Sequence, residues 1–442
     1  MTTPIYDFVK NYASQNKERL HMPGHKGNGA LGVEKYDITE IGGADSLYEA
    51  SGIIAESEKN ASELFGCKTF YSTEGSSQCI RAMLYLACVN RKNKNRRPLI
   101  LAGRNAHKTF LTAAAMLDCD VEWLCPESGE SYLSCTVKPE KLSQKLREID
   151  PDAVYITSPD YLGNVSDIKK LAEVCHRFSV PLMVDNAHGA YLKFLPESAH
   201  PIDLGADICC DSAHKTLSVL TGGAYLHISD TAPESYKNQA KNALAMFGST
   251  SPSYLILQSL DLANKELENC KVRIAQLAEN VKIAKETFAY NGFVLCGNEP
   301  LKITVCPKSV GYTGYEFADY CESKGFVCEF ADADNVVFMF SLNNDLLTPQ
   351  KLAESVADIQ KKSPIVSAAP DFHLPKQSVS IREAALSPNE TISVEASEGR
   401  ILAVPTVGCP PAVPIAACGE IIDKQTIERF LYYGIAECTV IK

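Results

Sequence analysis

At 442 residues, 45% of them hydrophobic, the chain exceeds the size of one core and suggests two or three domains. A net charge of -11, with no basic run denser than RKNKNRRP (Arg91 to Pro98), argues against a nucleic-acid partner. Seventeen cysteines, scattered, odd in number and without C-x-x-C spacing, give no zinc pattern and read as free thiols in a reducing cytoplasm. No metal site is expected. The N-terminus has no apolar core for a signal peptide, and no stretch reaches transmembrane length, so no membrane partner is expected either.

In chain order, the first unusual stretch is RLHMPGHKG, Arg19 to Gly27. Pro23-Gly24 marks a turn, and Gly24 and Gly27 allow conformations or close approaches that a Cβ would forbid. From about residue 60 to 250, helix-like segments alternate with short apolar runs, the pattern of βα units around a mostly parallel sheet. The strand candidates are RPLILAG, VEWLCP, DAVYITSP, PLMVDNAH and ADICCDS. Between the third and fourth, Ile168, Leu171, Cys175 and Phe178 recur at helical spacing, with Ser166 as a cap. Residues 253 to about 290 predict one long amphipathic helix ending at Asn291-Gly292. Then come LKITVCP, a helix from Tyr315 to Gly325, the strands VCEF and NVVFMFSL, and a helix begun by Thr348-Pro349, together a compact α+β domain. Residues 361–380 read as a linker, and the prolines of VGCPPAVPIAACGEII exclude a helix there.

Polar residues gather just after the strand ends, where ligands bind in open α/β sheets. In DSAHKTL, Lys215 follows an apolar strand, a costly place for a cation unless its amine has a chemical use. A Schiff base with pyridoxal phosphate is one such use. That cofactor needs a carboxylate on its pyridine nitrogen, and Asp185 stands at the end of PLMVD. It needs a phosphate cup, and Gly75, Ser76 and Ser77 open a helix pattern where backbone N–H groups and the helix dipole favour an anion. His107, just beyond PLILAG, could lie flat over the ring. Each has a plainer reading as a cap, a turn or a structural histidine; together they describe one cofactor site.

In the order HMPGHK, DITEI, RNAHK, DNAHGA, SAHKTL, TSPSY and a C-terminal GR…PP..P….GE-I, the sequence resembles the bacterial ornithine/lysine/arginine decarboxylases. The resemblance covers nearly the whole chain. It implies the aspartate-aminotransferase fold, pyridoxal-phosphate fold type I: a seven-stranded-type, mostly parallel sheet, a smaller α+β domain and a C-terminal extension. The expected divisions are an N-terminal segment, 1–55, near the dimer interface; a cofactor-binding domain, 56–255; a small domain, 256–362; and a C-terminal domain, 363–442. By this resemblance Lys215 carries the Schiff base, Asp185 pairs with the pyridinium nitrogen and His107 stacks on the ring. Ser76, Ser77 and Ser212 are implied phosphate ligands, His214 lies beside the lysine, and His188 near the cofactor's phenolic oxygen. Ser249, Thr250 and Ser251 resemble the segment that a neighbouring subunit lends to the phosphate, which implies a homodimer. The chain is expected to be the short form, without the N-terminal wing of the larger members.

The implied reaction is α-decarboxylation of arginine, lysine or ornithine, in polyamine production or acid tolerance, with Lys215 or His214 returning a proton to Cα. The substrate's remote cation needs an acidic partner, for which Asp45 and Glu420 are the candidates. The sequence departs from the family pattern at Cys409, Ala412 and Cys418, where Tyr-Pro-Pro-Gly and Pro-Gly-Glu are usual. Asn186 stands where Glu is common and Glu74 where Asn is common. Cys409 would reshape the substrate pocket. Two other readings stay open: transamination, which would want an arginine clamp such as Arg382 or Arg400, and a non-catalytic cofactor-binding relative.

Overall fold

A computed structural model describes residues 1–405 and 411–442. The chain packs into two compact units, residues 1–90 with 181–274, and residues 91–180 with 275–442. The first holds four strands of the large sheet: β1 (Lys68–Ser72), β5 (Leu182–Asp185), β6 (Ile208–Asp211) and β7 (Ala224–Ile228). Their order is β1-β7-β6-β5. β5 and β6 run parallel, whereas β7 is antiparallel to both β6 and β1. The second unit holds β2 (Leu99–Gly103), β3 (Asp120–Leu124) and β4 (Ala153–Thr157), with β2 parallel to both of its neighbours here. All five strands expected from the apolar runs are present. β1 and β7 escaped notice because KTFYS and AYLHI carry polar residues facing a buried, hydrogen-bonded interior, as Thr69 and His227 do.

The second unit also carries a four-stranded antiparallel sheet of β8 (Val294–Cys296), β9 (Lys302–Cys306), β10 (Phe330–Ala331) and β11 (Val336–Met339), and a pair, β12 (Asn389–Ser393) with β13 (Glu437–Ile441). The strand expected at VCEF shrinks to its last residue, because Val327 is 79% exposed and has no apolar face to bury against. The expected helices of this region occur at Gly314–Ser323 and Thr348–Ser355.

Two further expectations need correction. The single helix expected over residues 253–290 is two, Tyr254–Leu267 and Lys271–Tyr290. The break falls at Glu268-Asn269-Cys270, where Cys270 is buried and its carbonyl starts the second helix by accepting from Ile274. The helix Ile168–Arg177 is capped by Asp167, whose side chain accepts from the Lys170 N–H at 3.2 Å, not by Ser166.

The RLHMPGHKG loop braces itself. Arg19 is buried, donates to the Lys35 carbonyl at 2.6 Å and lies over the Tyr12 ring. His25 bonds Asp37 at 3.2 Å and His21 bonds the Tyr12 hydroxyl at 2.6 Å. Gly27 has φ +83°, and a Cβ there would meet the Arg19 guanidinium at 2.8 Å, so its glycine is required. All sixteen described cysteines are free thiols. No helix among the described residues is long and apolar enough to cross a membrane.

Candidate active site

In the first unit the chemistry collects at the carboxyl ends of β5 and β6. β5 ends on Asp185, and the chain turns at once, Gly189 N–H donating to the Asn186 carbonyl at 2.8 Å. This tight turn places His188 within reach of the next strand's end. β6 ends on Asp211, and the short helix Ala213–Thr216 follows with Lys215 on it. Lys215 Nζ lies 2.8 Å from His188 Nε2. The His188 ring therefore sits at hydrogen-bond distance of the amine and orients it. Asp185 is 2% exposed, and its carboxylate accepts from the Ala187 N–H at 3.2 Å and from the Cys210 thiol.

The turn before the helix Gly75–Asn90 is built by Ser72, whose hydroxyl donates to the Gly75 carbonyl and accepts from the Glu74 N–H. Gly75 has φ +71°, and a Cβ built on it would meet nothing within 4 Å, so the chain leaves open space at this helix start. Ser76 and Ser77 fill the first turn, and the Ser212 hydroxyl donates to Ser76 Oγ at 2.6 Å. Thus Ser76 and Ser212, 136 positions apart, meet as a hydroxyl pair at a helix N-terminus. His214 Nδ1 is 3.2 Å from the Gly223 carbonyl, which can only accept, so Nδ1 carries the proton.

Other expected residues stand elsewhere. Asp45 caps the helix Ile53–Phe65: its carboxylate accepts from the N–H groups of Ser51, Gly52 and Ile54 at 2.8–3.1 Å. Burial would raise its carboxyl, but these bonds outweigh burial and hold it below the usual range. Ser249, Thr250 and Ser251 lie exposed on the turn between two helices of the first unit.

The second unit carries His107 and Glu420. His107 is the N-cap of the helix Lys108–Leu117, its Nδ1 accepting from the Thr109 N–H at 3.1 Å, so the ring is neutral at Nδ1 and its plane is fixed. Glu420 is 1% exposed, bonded to Arg104 at 2.9 Å and to the Ala417 N–H at 2.6 Å. Burial raises its carboxyl in spite of Arg104. Arg104, which sequence reading missed, also lies over the Trp123 ring; nothing in the sequence links it to a residue 316 positions away. Cys409 lies outside the described residues. The arginines considered for a carboxylate clamp are engaged, Arg382 with the carbonyls of Ala115 and Met116, Arg400 with Glu390 and the Ile441 carbonyl.

Comparison with known proteins agrees with these motifs. Residues 3–291 match the family model described as Orn/Lys/Arg decarboxylase, major domain. The arginine decarboxylase of Bacillus subtilis is 29% identical, the alignment covering 96% of this chain and 92% of that protein. The arginine decarboxylase of Halalkalibacterium halodurans is 30% identical over the same shares. In structure, the Francisella novicida lysine decarboxylase LdcF superposes with a TM-score of 0.79 at 17% identity, over 100% of this chain and 81% of that one. The mixed α/β fold with its large, mostly parallel sheet is that of these decarboxylases, and this chain belongs to the Orn/Lys/Arg decarboxylase family.

Proposed function

We propose that this protein is a carboxy-lyase that removes the α-carboxylate of a basic amino acid as CO2, using pyridoxal phosphate held by Lys215. The observation that carries this reading is the Lys215 amine oriented by His188 at the end of β6. The donors around it fit the cofactor. The helix start at Gly75, with the Ser76–Ser212 hydroxyl pair and Ser77, suits a phosphate. Asp185, buried at the end of β5, suits a pyridinium nitrogen. When bound, the cofactor supplies an electron sink for the bond to the leaving carboxylate.

The chain's own residues do the rest. Asp185 would keep a proton on the ring nitrogen of the bound cofactor. His188 orients Lys215 Nζ, and His107, rigid as a helix cap, would stack on the cofactor ring. Lys215 Nζ, with His214 as the other candidate, returns a proton to the substrate Cα, giving the amine. Arginine is the first substrate to test, since the arginine decarboxylases of Bacillus subtilis and Halalkalibacterium halodurans match over 92% of their length, whereas the lysine decarboxylase LdcA of Pseudomonas aeruginosa matches over 40% of its own. We read the exposed Leu20, Met22 and Leu31 as the partner-facing surface of a homodimer, with the exposed Ser249 and Thr250 reaching the neighbouring subunit's phosphate. The free cysteines suit the cytoplasm.

The test is to incubate the cofactor-loaded protein separately with arginine, lysine and ornithine, and to follow CO2 and the amines by mass spectrometry. One substrate should give equal amounts of CO2 and its amine, and none with Lys215→Ala. Products that retain the carboxylate would overturn the reading in favour of transamination.

A further inference from the structure

One residue beyond Asp185 and one before Ser212 stand Asn186 and Asp211, both wholly buried, with side chains that play no part in the site described above. The Asp211 carboxylate accepts three hydrogen bonds, from Asn186 Nδ2 at 2.7 Å, His200 Nε2 at 3.1 Å and His227 Nε2 at 3.2 Å. Burial alone would keep this carboxyl neutral, but the two imidazoles reverse that and hold it well below the usual range. Burial in turn discourages a proton on His227. The cluster is therefore one buried carboxylate to which an amide and two imidazole nitrogens are directed.

An ionised carboxylate only accepts, so Asn186 must turn its Nδ2 toward Asp211. Its Oδ1 is left buried without a partner, a cost that makes sense only if the donor is needed where it is. A glutamate, common in the family at this position, would set a second carboxylate against Asp211. The amide therefore answers the carboxylate that the adjacent strand brings. Together with the Asn186 N–H, which donates to the Cys210 carbonyl at 3.0 Å, this contact ties the end of β5 to the end of β6. Those two ends carry Asp185 on one side and Ser212 and Lys215 on the other. His200, Cys209 and Asp211 also place ligand atoms within 4.8 Å of one another, as a metal site would. Yet the carboxylate already has its three donors, and His200 Nδ1 has no acceptor to orient a metal-bound ring.

We infer that Asn186 and Asp211 are a matched pair of positioning residues that sets Asp185 against the Ser212–Lys215 turn, and so sets how tightly the cofactor is held. The inference rests on the cofactor site proposed above. It is tested on apo-protein titrated with pyridoxal phosphate, reading the visible absorbance for affinity and the apo thermal midpoint for folding. Asn186→Asp opposes two carboxylates and should weaken cofactor affinity by about tenfold or more. Adding Asp211→Asn exchanges donor for acceptor while keeping all three hydrogen bonds: the new amide donates to position 186 and its oxygen accepts from both histidines. The double variant should recover affinity to within about threefold of the parent. If the parent binds the cofactor and Asn186→Asp binds as tightly, or the double variant is no better than the single, the pairing is overturned while the cofactor site stands. A parent that binds no cofactor overturns both. Should Asn186→Asp fail to fold, Asn186→Ala removes the donor without adding charge; unchanged affinity there overturns the inference.

Discussion

The first unit presents the part-buried Lys215 beside the His188 ring, just after a strand end. The second presents Arg104 against Glu420, and Lys302 against Glu299 at 2.7 Å, with all four side chains at most 4% exposed. The second unit's cations are thus sealed in buried ion pairs, whereas Lys215 is part-buried with an imidazole nitrogen 2.8 Å away. A buried ion pair neutralises itself and holds packing in register; removing either member strands the other in a low-dielectric interior. A lysine oriented by an imidazole remains available as a nucleophile. Burial of charge does not by itself distinguish a site from a structural pair. The partner does.

The largest expected effect breaks the first half of this comparison. Lys215→Ala should lower CO2 release by about a thousandfold or more, because a lost nucleophile has no substitute. Urea unfolding of the apo-protein should change little, since Lys215 is only partly buried. Glu420→Gln tests the other half. It leaves the Arg104 guanidinium buried without its counter-charge and should cost about 3–5 kcal/mol in urea unfolding, with KM for a basic substrate nearly unchanged. A large rise in KM at unaltered stability would instead make Glu420 the acceptor of the substrate's remote cation, and the contrast between the units would fail.

The two regions were also unequally legible. The lysine, Asp185 and the serine-rich helix start each sit beside a strand or helix boundary that the sequence marks, with apolar runs before and Gly or Ser after. Local patterning was enough to single them out as candidates. The fold class followed from the same alternation of short apolar runs and helical periods. Arg104 and Glu420 meet only through the tertiary fold, and so do His200, His227 and Asp211; no local pattern announces a hydrogen bond between residues far apart in sequence. The departure at Asn186 was visible, but its meaning depended on knowing that Asp211 ends the neighbouring strand. The split of the 253–290 helix was missed because helical spacing of apolar residues carries across a one-turn break.

Asp45→Ala should have a smaller effect, about 1–2 kcal/mol, the value of a helix N-cap. The sign of its pH dependence follows from a carboxyl held below its ordinary 3.8. A depressed folded-state value means that the contribution is complete above 3.8 and is lost as pH falls through the folded value. Urea unfolding at stepped pH should therefore show the parent and the variant separated at neutral pH and converging in strong acid. Because Asp45 spends its oxygens on backbone N–H groups, KM should not move. A selective rise in KM would return it to the substrate site.

The smallest effect concerns a departure from the family pattern. Ala412 stands where the family usually has glycine, and its φ is +56°, the left-handed region in which a Cβ crowds the following carbonyl. That costs about 1–2 kcal/mol, against which alanine has less freedom to lose on folding than glycine, by about 0.4–1 kcal/mol. Ala412→Gly should thus stabilise the protein by about 0–1.5 kcal/mol in urea unfolding. The residue is 2% exposed and its carbonyl accepts from the Lys108 N–H at 2.8 Å, the first residue of the helix that His107 caps. Relaxing the strain therefore acts on the backbone that orients the His107 ring. If His107 stacks on the cofactor as proposed, Ala412→Gly should shift cofactor affinity measurably while His107→Ala lowers it by about threefold to tenfold, the worth of an aromatic stack. Stabilisation with cofactor affinity unmoved would show that this end of the second unit, like its ion pairs, serves packing alone.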